Sequence, residues 1–162
     1  MSDQENRQHQ IFIASDHAGF SLKQYLARVL PQALTHVGRE VSVTDLGPGG
    51  EVRCDYPLYA KKVVEKVALH SENLGILVCG SGIGMAMAAN RFPGMRAAVV
   101  ENPVSARLAR EHNHCNILCL GSRILAPEYA TEIVISWFRA QPSLDGRHLA
   151  RIQQFDPTSN LS

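Results

Sequence analysis

Short apolar runs and amphipathic segments alternate five times along this chain, and that alternation limits the possible folds more than any other feature. The apolar runs have the length and composition of strands: Ile11–Ser15, Glu40–Leu46, Leu74–Cys79, Met95–Val100 and Asn116–Leu120. They are too apolar for either face to meet water, which is typical of a parallel sheet covered by helices on both sides. We therefore predict a three-layer, doubly wound α/β fold of five parallel strands, Rossmann-like, with a flavodoxin-like strand order as one option.

The segments between the runs carry apolar residues at helical spacing. Two of them show a clear apolar face, made by Leu22, Leu26, Val29 and Leu30 in the first and by Tyr59, Val63, Val64 and Val67 in the second. The second helix is predicted to start at Asp55-Tyr56-Pro57, and further helices near Ile83, at Asn102-Pro103 and from about Pro127 to Phe138. The segment 142–155 can add a short terminal helix.

Length, charge and cysteine usage restrict the class of protein. A chain of 162 residues with 45% hydrophobic composition suits one domain, which we place at residues 11–157 between loose ends at 1–10 and 158–162. The net charge of +1 does not favour a nucleic-acid or membrane partner. Four cysteines without a C-x-x-C pair, and a polar start that lacks the apolar core of a signal peptide, predict a cytoplasmic protein.

The third apolar run leads into the segment with the strongest sequence signal for a reactive site. Cys79 stands at its end and opens directly into Gly80-Ser81-Gly82-Ile83-Gly84, which reads as strand, tight turn and helix start. A thiol there faces the N–H groups of a helix start, which favour the thiolate form. The glycines let backbone amides converge on an anion or on developing negative charge. The alternative is an inert cysteine before an ordinary glycine turn.

A second candidate group follows the first apolar run. Ligands of such sheets bind beyond the carboxyl ends of the strands, near the point where the winding direction reverses. Asp16 and His17 come directly after the first strand, whose end neighbours that of the third, so we expect both side chains to face Cys79. The alternative for Asp16 is a helix cap, a role that does not account for His17.

Three further groups carry candidate functional residues. His112-Asn113 ends the fourth helix, Arg123 follows the fifth strand, and Arg147 and Arg151 lie four apart in the terminal segment, a spacing that lets two guanidinium groups hold one phosphate on a helix. His112 precedes the fifth strand and therefore lies at the amino edge of the sheet, across the domain from Cys79. We expect a homodimer in which His112 and Asn113 enter the partner's site. A histidine at a helix C-terminus and solvated arginines are the plainer alternatives.

Other chemistries fit the spacing less well. A dinucleotide fingerprint and a phosphatase-type loop both fail at Met85, and an acyl-transferring thiol would need His17 as its base. The group His112, His114, Cys115 and Cys119 matches no closed zinc site, so we predict no metal and no cofactor.

Taken together, the motifs resemble ribose-5-phosphate isomerase type B, within a wider group that includes galactose- and allose-6-phosphate isomerases. The resemblance spans nearly the whole chain and is carried by these segments: Ser15-Asp16-His17-Ala18-Gly19-Phe20, Asp55-Tyr56-Pro57, Cys79 to Gly84, Ala88-Ala89-Asn90, His112-Asn113, Gly121-Ser122-Arg123 and Arg147-His148. It implies a dimeric, metal-independent enzyme of the pentose phosphate pathway that interconverts ribose 5-phosphate and ribulose 5-phosphate through a cis-enediolate.

The resemblance also implies roles for individual residues. Cys79 stands where one branch of the family has its cysteine base, and Met85 where another branch has a glutamate. The remaining implied roles are ring opening by His112, proton shuttling by Ser81, charge stabilisation by the amides of Gly80, Ser81, Gly82, Ile83 and Gly84, sugar binding by Asp16 and Asn113, phosphate binding by His17, Arg123, Arg147 and Arg151, and a pocket wall at Tyr56.

Two departures from the family pattern keep other substrates open. His114-Cys115 follows Asn113 where relatives often have a more acidic or hydroxyl-bearing pair, and the approach from Gln141 to Arg147 is one residue longer. An isomerase of allose or galactose 6-phosphate is therefore the first alternative. A nucleotide-binding module and a purely structural dimer are the alternatives from other classes.

Overall fold

A computed structural model describes residues 9–36 and 40–155 as five strands and six helices in alternation. The strands are β1 (His9–Ser15), β2 (Val41–Asp45), β3 (Leu74–Cys79), β4 (Ala97–Val99) and β5 (Ile117–Gly121). The helices are α1 (Phe20–Thr35), α2 (Tyr56–Val67), α3 (Ile83–Ala89), α4 (Pro103–Asn113), α5 (Pro127–Arg139) and α6 (Gly146–Ile152). The predicted alternation, including the short terminal helix, is confirmed.

The strands form one parallel sheet with a hydrophobic core on each face. One core joins the sheet to α1, α4 and α5, and the other joins it to α2 and α3. Both faces are apolar because helices cover both, as the strand composition predicts. The three-layer α/β class is confirmed.

The strand order is β2-β1-β3-β5-β4, which exchanges the last two strands relative to the flavodoxin-like order. Burial gives the physical reason. Every residue of β5 is buried, so β5 takes an interior position, whereas the three residues of β4 are only half-buried and suit an edge. The exchange places β3 between β1 and β5, so the segments that follow these three strands meet at one carboxyl edge.

Local signals explain most of the element boundaries. Prolines stand in the first turn of α2, α4 and α5, where the missing N–H costs nothing. Asn102 caps α4 by accepting the N–H of Ser105 at 2.8 Å. The strand ends are less regular: β1 begins at His9, two residues before its predicted start, and β4 keeps only three of the six residues predicted at 95–100.

Of the predicted loose ends, residues 1–8 and 158–162 lie outside the described residues, whereas residues 9 and 10 belong to β1. Within the described part of the chain, no helix is long and apolar enough to cross a membrane.

Candidate active site

Cys79 is the last residue of β3, the central strand, and its side chain is only 5% exposed. The N–H of Gly82 donates to Sγ of Cys79 across 3.1 Å. Gly82 has a φ of 78°, a left-handed conformation that turns its amide back toward the strand end and that glycine adopts without strain. The predicted sequence of strand, tight turn and helix start is confirmed, and it directs a backbone amide at the sulfur.

The segment after β5 packs directly on the Cys79 turn. Ser122 and Arg123 donate their backbone N–H groups to the carbonyls of Cys79 and Gly80, at 2.8 and 3.0 Å. A Cβ on Gly121 would lie 2.9 Å from the carbonyl carbon of Ser81, so only glycine allows this approach. The two turns therefore hold each other in one conformation.

The guanidinium group of Arg123 lies over Gly80. A Cβ on Gly80 would be 3.1 Å from Cζ of Arg123, which is closer than most packed carbons approach. Arg123 itself is exposed to solvent. The structure thus brings a cationic group beside the glycine turn, as the sequence predicts, and the cause is the interior position of β5.

The turn after β1 lies on the other side of Cys79. Asp16 donates its backbone N–H to the carbonyl of Val78, the residue before Cys79, at 3.1 Å. Its Oδ1 accepts the N–H of Gly19 at 2.9 Å, so the side chain holds the turn before α1, whose N-cap residue is Gly19 and not Asp16 as the capping alternative expected. The hydroxyl of Ser122 donates to the carbonyl of Ala18 at 2.9 Å and ties the β1 and β5 turns together.

The loop between β2 and α2 adds a third wall at this edge. The N–H of Cys54 donates to Nδ1 of His17 at 3.4 Å, so Nδ1 acts as the acceptor and a neutral ring carries its proton on Nε2. The ring of Tyr56 covers Gly84, where a Cβ would lie 2.8 Å from Cζ of the tyrosine. Tyr56 therefore borders the turn that carries Cys79, and His17 contacts the loop that leads to Tyr56.

An ion pair between a buried lysine and a partly exposed aspartate, which sequence reasoning missed, fastens this loop. Nζ of Lys23 contacts both carboxylate oxygens of Asp45 at 2.8 Å and the carbonyl of Pro48 at 2.6 Å. Lys23 is fully buried. A signal was present, because Lys23 lies three and seven residues before Leu26 and Leu30 and so shares their apolar face.

His112 and Asn113 end α4 at the amino edge of the sheet, away from the Cys79 turn. The ring of His112 stacks on that of His148 in α6, with centroids 4.3 Å apart and planes 10° from parallel. His112 lines a cavity of 830 Å³ between α4, α5 and the segment before α6, and Asn113 lines a separate cavity of 460 Å³ beside β4. Neither cavity is lined by Cys79.

Arg147 and Arg151 lie on α6, which is helical as the clamp prediction required, and both are exposed. The segment that leads to α6 is fastened to the end of α4. The ring Nε2 of His114 lies 2.8 Å from the carbonyl of Ser143, and the N–H of Ser143 donates to the carbonyl of Glu111 at 2.9 Å. These contacts keep α6 beside His112.

The candidate residues thus form two groups in a single chain. The carboxyl edge brings together Cys79, Gly80, Ser81, Gly82, Ile83, Gly84, Asp16, His17, Tyr56 and Arg123. The corner made by α4 and α6 carries His112, Asn113, Arg147 and Arg151. One chain does not join the two groups, as the position of His112 before β5 predicts.

Two other cysteines, Cys115 and Cys119, are buried in the core. Burial raises the pKa of Cys115 to about 11, and burial together with the neighbouring thiols raises the pKa of Cys119 well above its usual range. Both therefore stay neutral near pH 7, and Sγ of Cys115 donates to the carbonyl of Ile117 at 3.1 Å. Among the residues described here, no group of three or more His, Cys, Asp or Glu is arranged to hold a metal ion.

Comparison with known proteins assigns the chain to a family. A family model described as Ribose/Galactose Isomerase matches residues 11–155. The chain belongs to the ribose/galactose isomerase family, and the resemblance inferred from the motifs is confirmed.

The chain is similar to known proteins over almost their full length. Ribose-5-phosphate isomerase B of Escherichia coli is 43% identical over 143 residues, which cover 88% of this chain and 91% of the relative. The type B ribose 5-phosphate isomerase structure of Trypanosoma brucei superposes with a TM-score of 0.86 at 36% identity, covering 93% of this chain and 99% of that one. The enzyme of Mycoplasma genitalium, with bound ribulose-5-phosphate, gives 0.84 at 38% identity, with coverage of 94% and 97%.

Proposed function

We propose that this protein interconverts D-ribose 5-phosphate and D-ribulose 5-phosphate without a metal ion, with Cys79 as the base. Family membership and the ribulose-5-phosphate bound to the Mycoplasma genitalium relative support the substrate. The observation that carries the mechanism is the Cys79 thiol at the central strand end, where it accepts the N–H of Gly82. The nucleotide-binding and purely structural alternatives have no comparable support.

The proposed chemistry needs one base that moves a proton between neighbouring carbons. The thiolate of Cys79 takes the proton from C2 of the open-chain aldose, and the resulting thiol returns it to C1, which leaves the ketose. Met85 occupies the position of the glutamate base of the other branch, and it is fully buried. Cys79 is therefore the candidate base at this turn.

The intermediate of this reaction is a cis-enediolate, whose oxygens carry negative charge. The backbone amides between Gly80 and Gly84 surround the strand end, and removal of one such donor costs roughly 3 kcal/mol in well-studied anion holes. The hydroxyl of Ser81 lies in the same turn, half-buried, and accepts the N–H of Ile83 at 3.3 Å. We assign it the transfer of the hydroxyl proton between O1 and O2.

The remaining catalytic step, opening of the furanose ring, needs an acid that a single chain does not bring to Cys79. We assign it to His112 of a second subunit, with Asn113 beside it as a sugar-binding residue. Exposed apolar side chains support a subunit contact near the site. Ile83 and Met87 lie four apart on the outer side of α3, and Leu58 lies on α2 nearby in the same layer.

Substrate binding follows from the same two groups. Asp16 has an oxygen fixed by Gly19 and holds a sugar hydroxyl with the other, while Tyr56 borders the sugar. His17 and Arg123 from one subunit, with Arg147 and Arg151 from its partner, bind the phosphate. Guanidinium groups suit this role because their paired N–H groups match phosphate oxygens.

The test is an isomerase assay of the purified protein in excess chelator, with ribose 5-phosphate, allose 6-phosphate and galactose 6-phosphate as substrates. We expect turnover that favours ribose 5-phosphate and that falls by about 10²–10⁴-fold in Cys79→Ala, the usual contribution of a positioned acid–base group. Cys115→Ala removes a thiol from the core instead and should retain turnover wherever it is folded. Calorimetry should show that Cys79→Ala still binds phosphate.

Each outcome of this assay distinguishes between the proposed function and its alternatives. Turnover of a hexose phosphate alone would keep the thiol mechanism and change the substrate. Near-normal rates in Cys79→Ala would exclude Cys79 as the base, and no turnover of any of the three sugars would contradict the proposed function.

A further inference from the structure

Arg147, one of the proposed phosphate ligands, is already bound by a carboxylate of its own helix. Nε and a terminal nitrogen of its guanidinium group donate to Oδ1 and Oδ2 of Asp145 at 3.2 and 2.9 Å. The backbone N–H of Arg147 also donates to Oδ1, at 2.8 Å. Asp145 therefore takes two parallel N–H groups of the guanidinium, which is the bidentate arrangement that phosphate oxygens use.

Both side chains of this pair are charged at neutral pH. Hydrogen bonds from the side chain and backbone of Arg147 hold the pKa of the Asp145 carboxyl far below its usual range, and Asp145 raises the pKa of Arg147 in turn. The carboxylate is thus ionised whenever substrate is present. Its oxygens occupy N–H donors of Arg147. Its negative charge also repels an incoming phosphate, which carries a charge of about −1.5 to −2 at pH 7.

Arg151, one helical turn further along α6, differs in this respect. Among the residues that the structure describes, Arg151 makes no ion pair, although it shares the helix with Arg147. The two proposed phosphate ligands are therefore unequal: one is held by an internal anion, and the other projects from the surface without one.

We propose that Asp145 sets the affinity for the substrate phosphate, because its carboxylate competes with the phosphate for the guanidinium group of Arg147. This inference rests on the proposed function, since it takes Arg147 as a phosphate ligand. When substrate binds, the phosphate displaces the carboxylate from the Nε edge or shares the guanidinium with it. In both cases the carboxylate weakens binding relative to a neutral group at position 145.

The experiment measures KM for ribose 5-phosphate and the inhibition constant of inorganic phosphate in Asp145→Asn. Asparagine keeps the oxygen that caps α6 and removes the charge. We expect both constants to fall by about two- to fivefold, the range of a single exposed charge pair, with a smaller change in kcat than in KM. The effect should shrink as salt rises, because the pair is exposed.

Three controls assign the effect to Arg147. It should disappear when Asp145→Asn is added to Arg147→Gln, and it should persist when it is added to Arg151→Gln. Glu128→Gln removes an equal charge from the first turn of α5, and it should leave both constants unchanged. A rise in KM in Asp145→Asn would mean that Asp145 positions Arg147 instead, and it would overturn the proposal. No change, or the same change in the Arg147→Gln background, would overturn it as well.

A readout without turnover separates this inference from the proposed function. Calorimetric titration with inorganic phosphate needs no catalysis, and tighter binding to Asp145→Asn than to the unaltered protein would support the inference even if no sugar phosphate were turned over. Active protein with equal phosphate binding in both forms would overturn the inference alone.

Discussion

The two halves of the proposed site are built by different kinds of contact. At the carboxyl edge, buried backbone groups fix the chain: Gly121 lies against Ser81, and Gly19 lies against the carbonyl of Val78, where a Cβ would be only 2.4 Å away. At the corner of α4 and α6, groups near the surface do so, through the stacked rings of His112 and His148 and the hydrogen bonds of Ser143. The first half is fixed by close packing of buried backbone, and the second by a few contacts near the surface.

This difference matches the role that we propose for each half. A base and its amide donors must hold their geometry to a fraction of an ångström, and close packing keeps the backbone in that geometry. The residues that we propose to come from a second subunit and to bind the phosphate need only charge, reach and orientation. Substitutions should therefore affect folding most at the carboxyl edge and affect ligand affinity most at the α4–α6 corner.

The largest expected difference lies between the two ion pairs. Lys23→Met leaves Asp45 without its buried cation and should lower the free energy of unfolding by about 3 kcal/mol, the low end for breaking a buried pair because Asp45 is partly exposed. Arg147→Met breaks the surface pair with Asp145 and should leave the denaturant midpoint unchanged. Equal losses in urea titrations of the two variants would contradict the comparison.

The second prediction concerns the pH dependence of stability that the buried Cys115 thiol causes. The Cys115 thiol has a pKa near 11 when folded and near 9 when unfolded, so between these values the unfolded state loses the proton first. Stability should therefore fall as pH rises from 9 to 11, by about 2–3 kcal/mol for this group. Thermal unfolding of Cys115→Ala should show a shallower fall, whereas Ile117→Val, which keeps the thiol, should show the full slope.

The third prediction compares a glycine-to-alanine substitution in each half of the proposed site. Gly121→Ala forces a methyl group against Ser81 and should cost about 1–3 kcal/mol of stability, with a loss of kcat because the Cys79 turn must shift. Gly146→Ala at the start of α6 meets open space within 4 Å and should be neutral or stabilising by up to about 1 kcal/mol. Chemical denaturation and steady-state assays would check both variants, and a harmless Gly121→Ala would argue against close packing as the cause.

The smallest effect is expected at the bond that ties the β1 and β5 turns. Ser122→Ala removes the hydroxyl that donates to the carbonyl of Ala18 and should lower the free energy of unfolding by about 1 kcal/mol. Thr131→Ala, which removes an exposed hydroxyl bond within α5, serves as the control and should cost less. A larger loss at Thr131 would show that the bond between the turns contributes little.

The sequence was sufficient to predict the elements and the turn that follows Cys79 at the carboxyl edge. Apolar runs identify strands, and glycines at fixed spacing after Cys79 identify a tight turn with no room for side chains. The position of His112 before β5 also placed it at the opposite edge without any coordinates. These inferences succeed because each depends on residues close together in the chain.

The contacts that the sequence did not reveal join distant segments. The exchange of β4 and β5 depends on the relative burial of two strands, and the Lys23–Asp45 pair joins residues 22 apart. The stacking of His112 on His148 depends on how the chain returns after α5. Asp145 was within reach of sequence reasoning, since it lies two residues before Arg147, but a carboxylate at a helix start is usually only a cap.

The central claim is that the α4–α6 corner of one subunit completes the Cys79 site of another. The most direct test mixes inactive Cys79→Ala with inactive His112→Ala, after dissociation and reassembly, and measures ribose 5-phosphate turnover. Random pairing gives hybrid dimers with one intact site each, so activity should return to about a quarter of that of the unaltered protein. Hybrid dimers that form, as native mass spectrometry would show, but remain inactive would contradict the claim that the two halves meet between subunits.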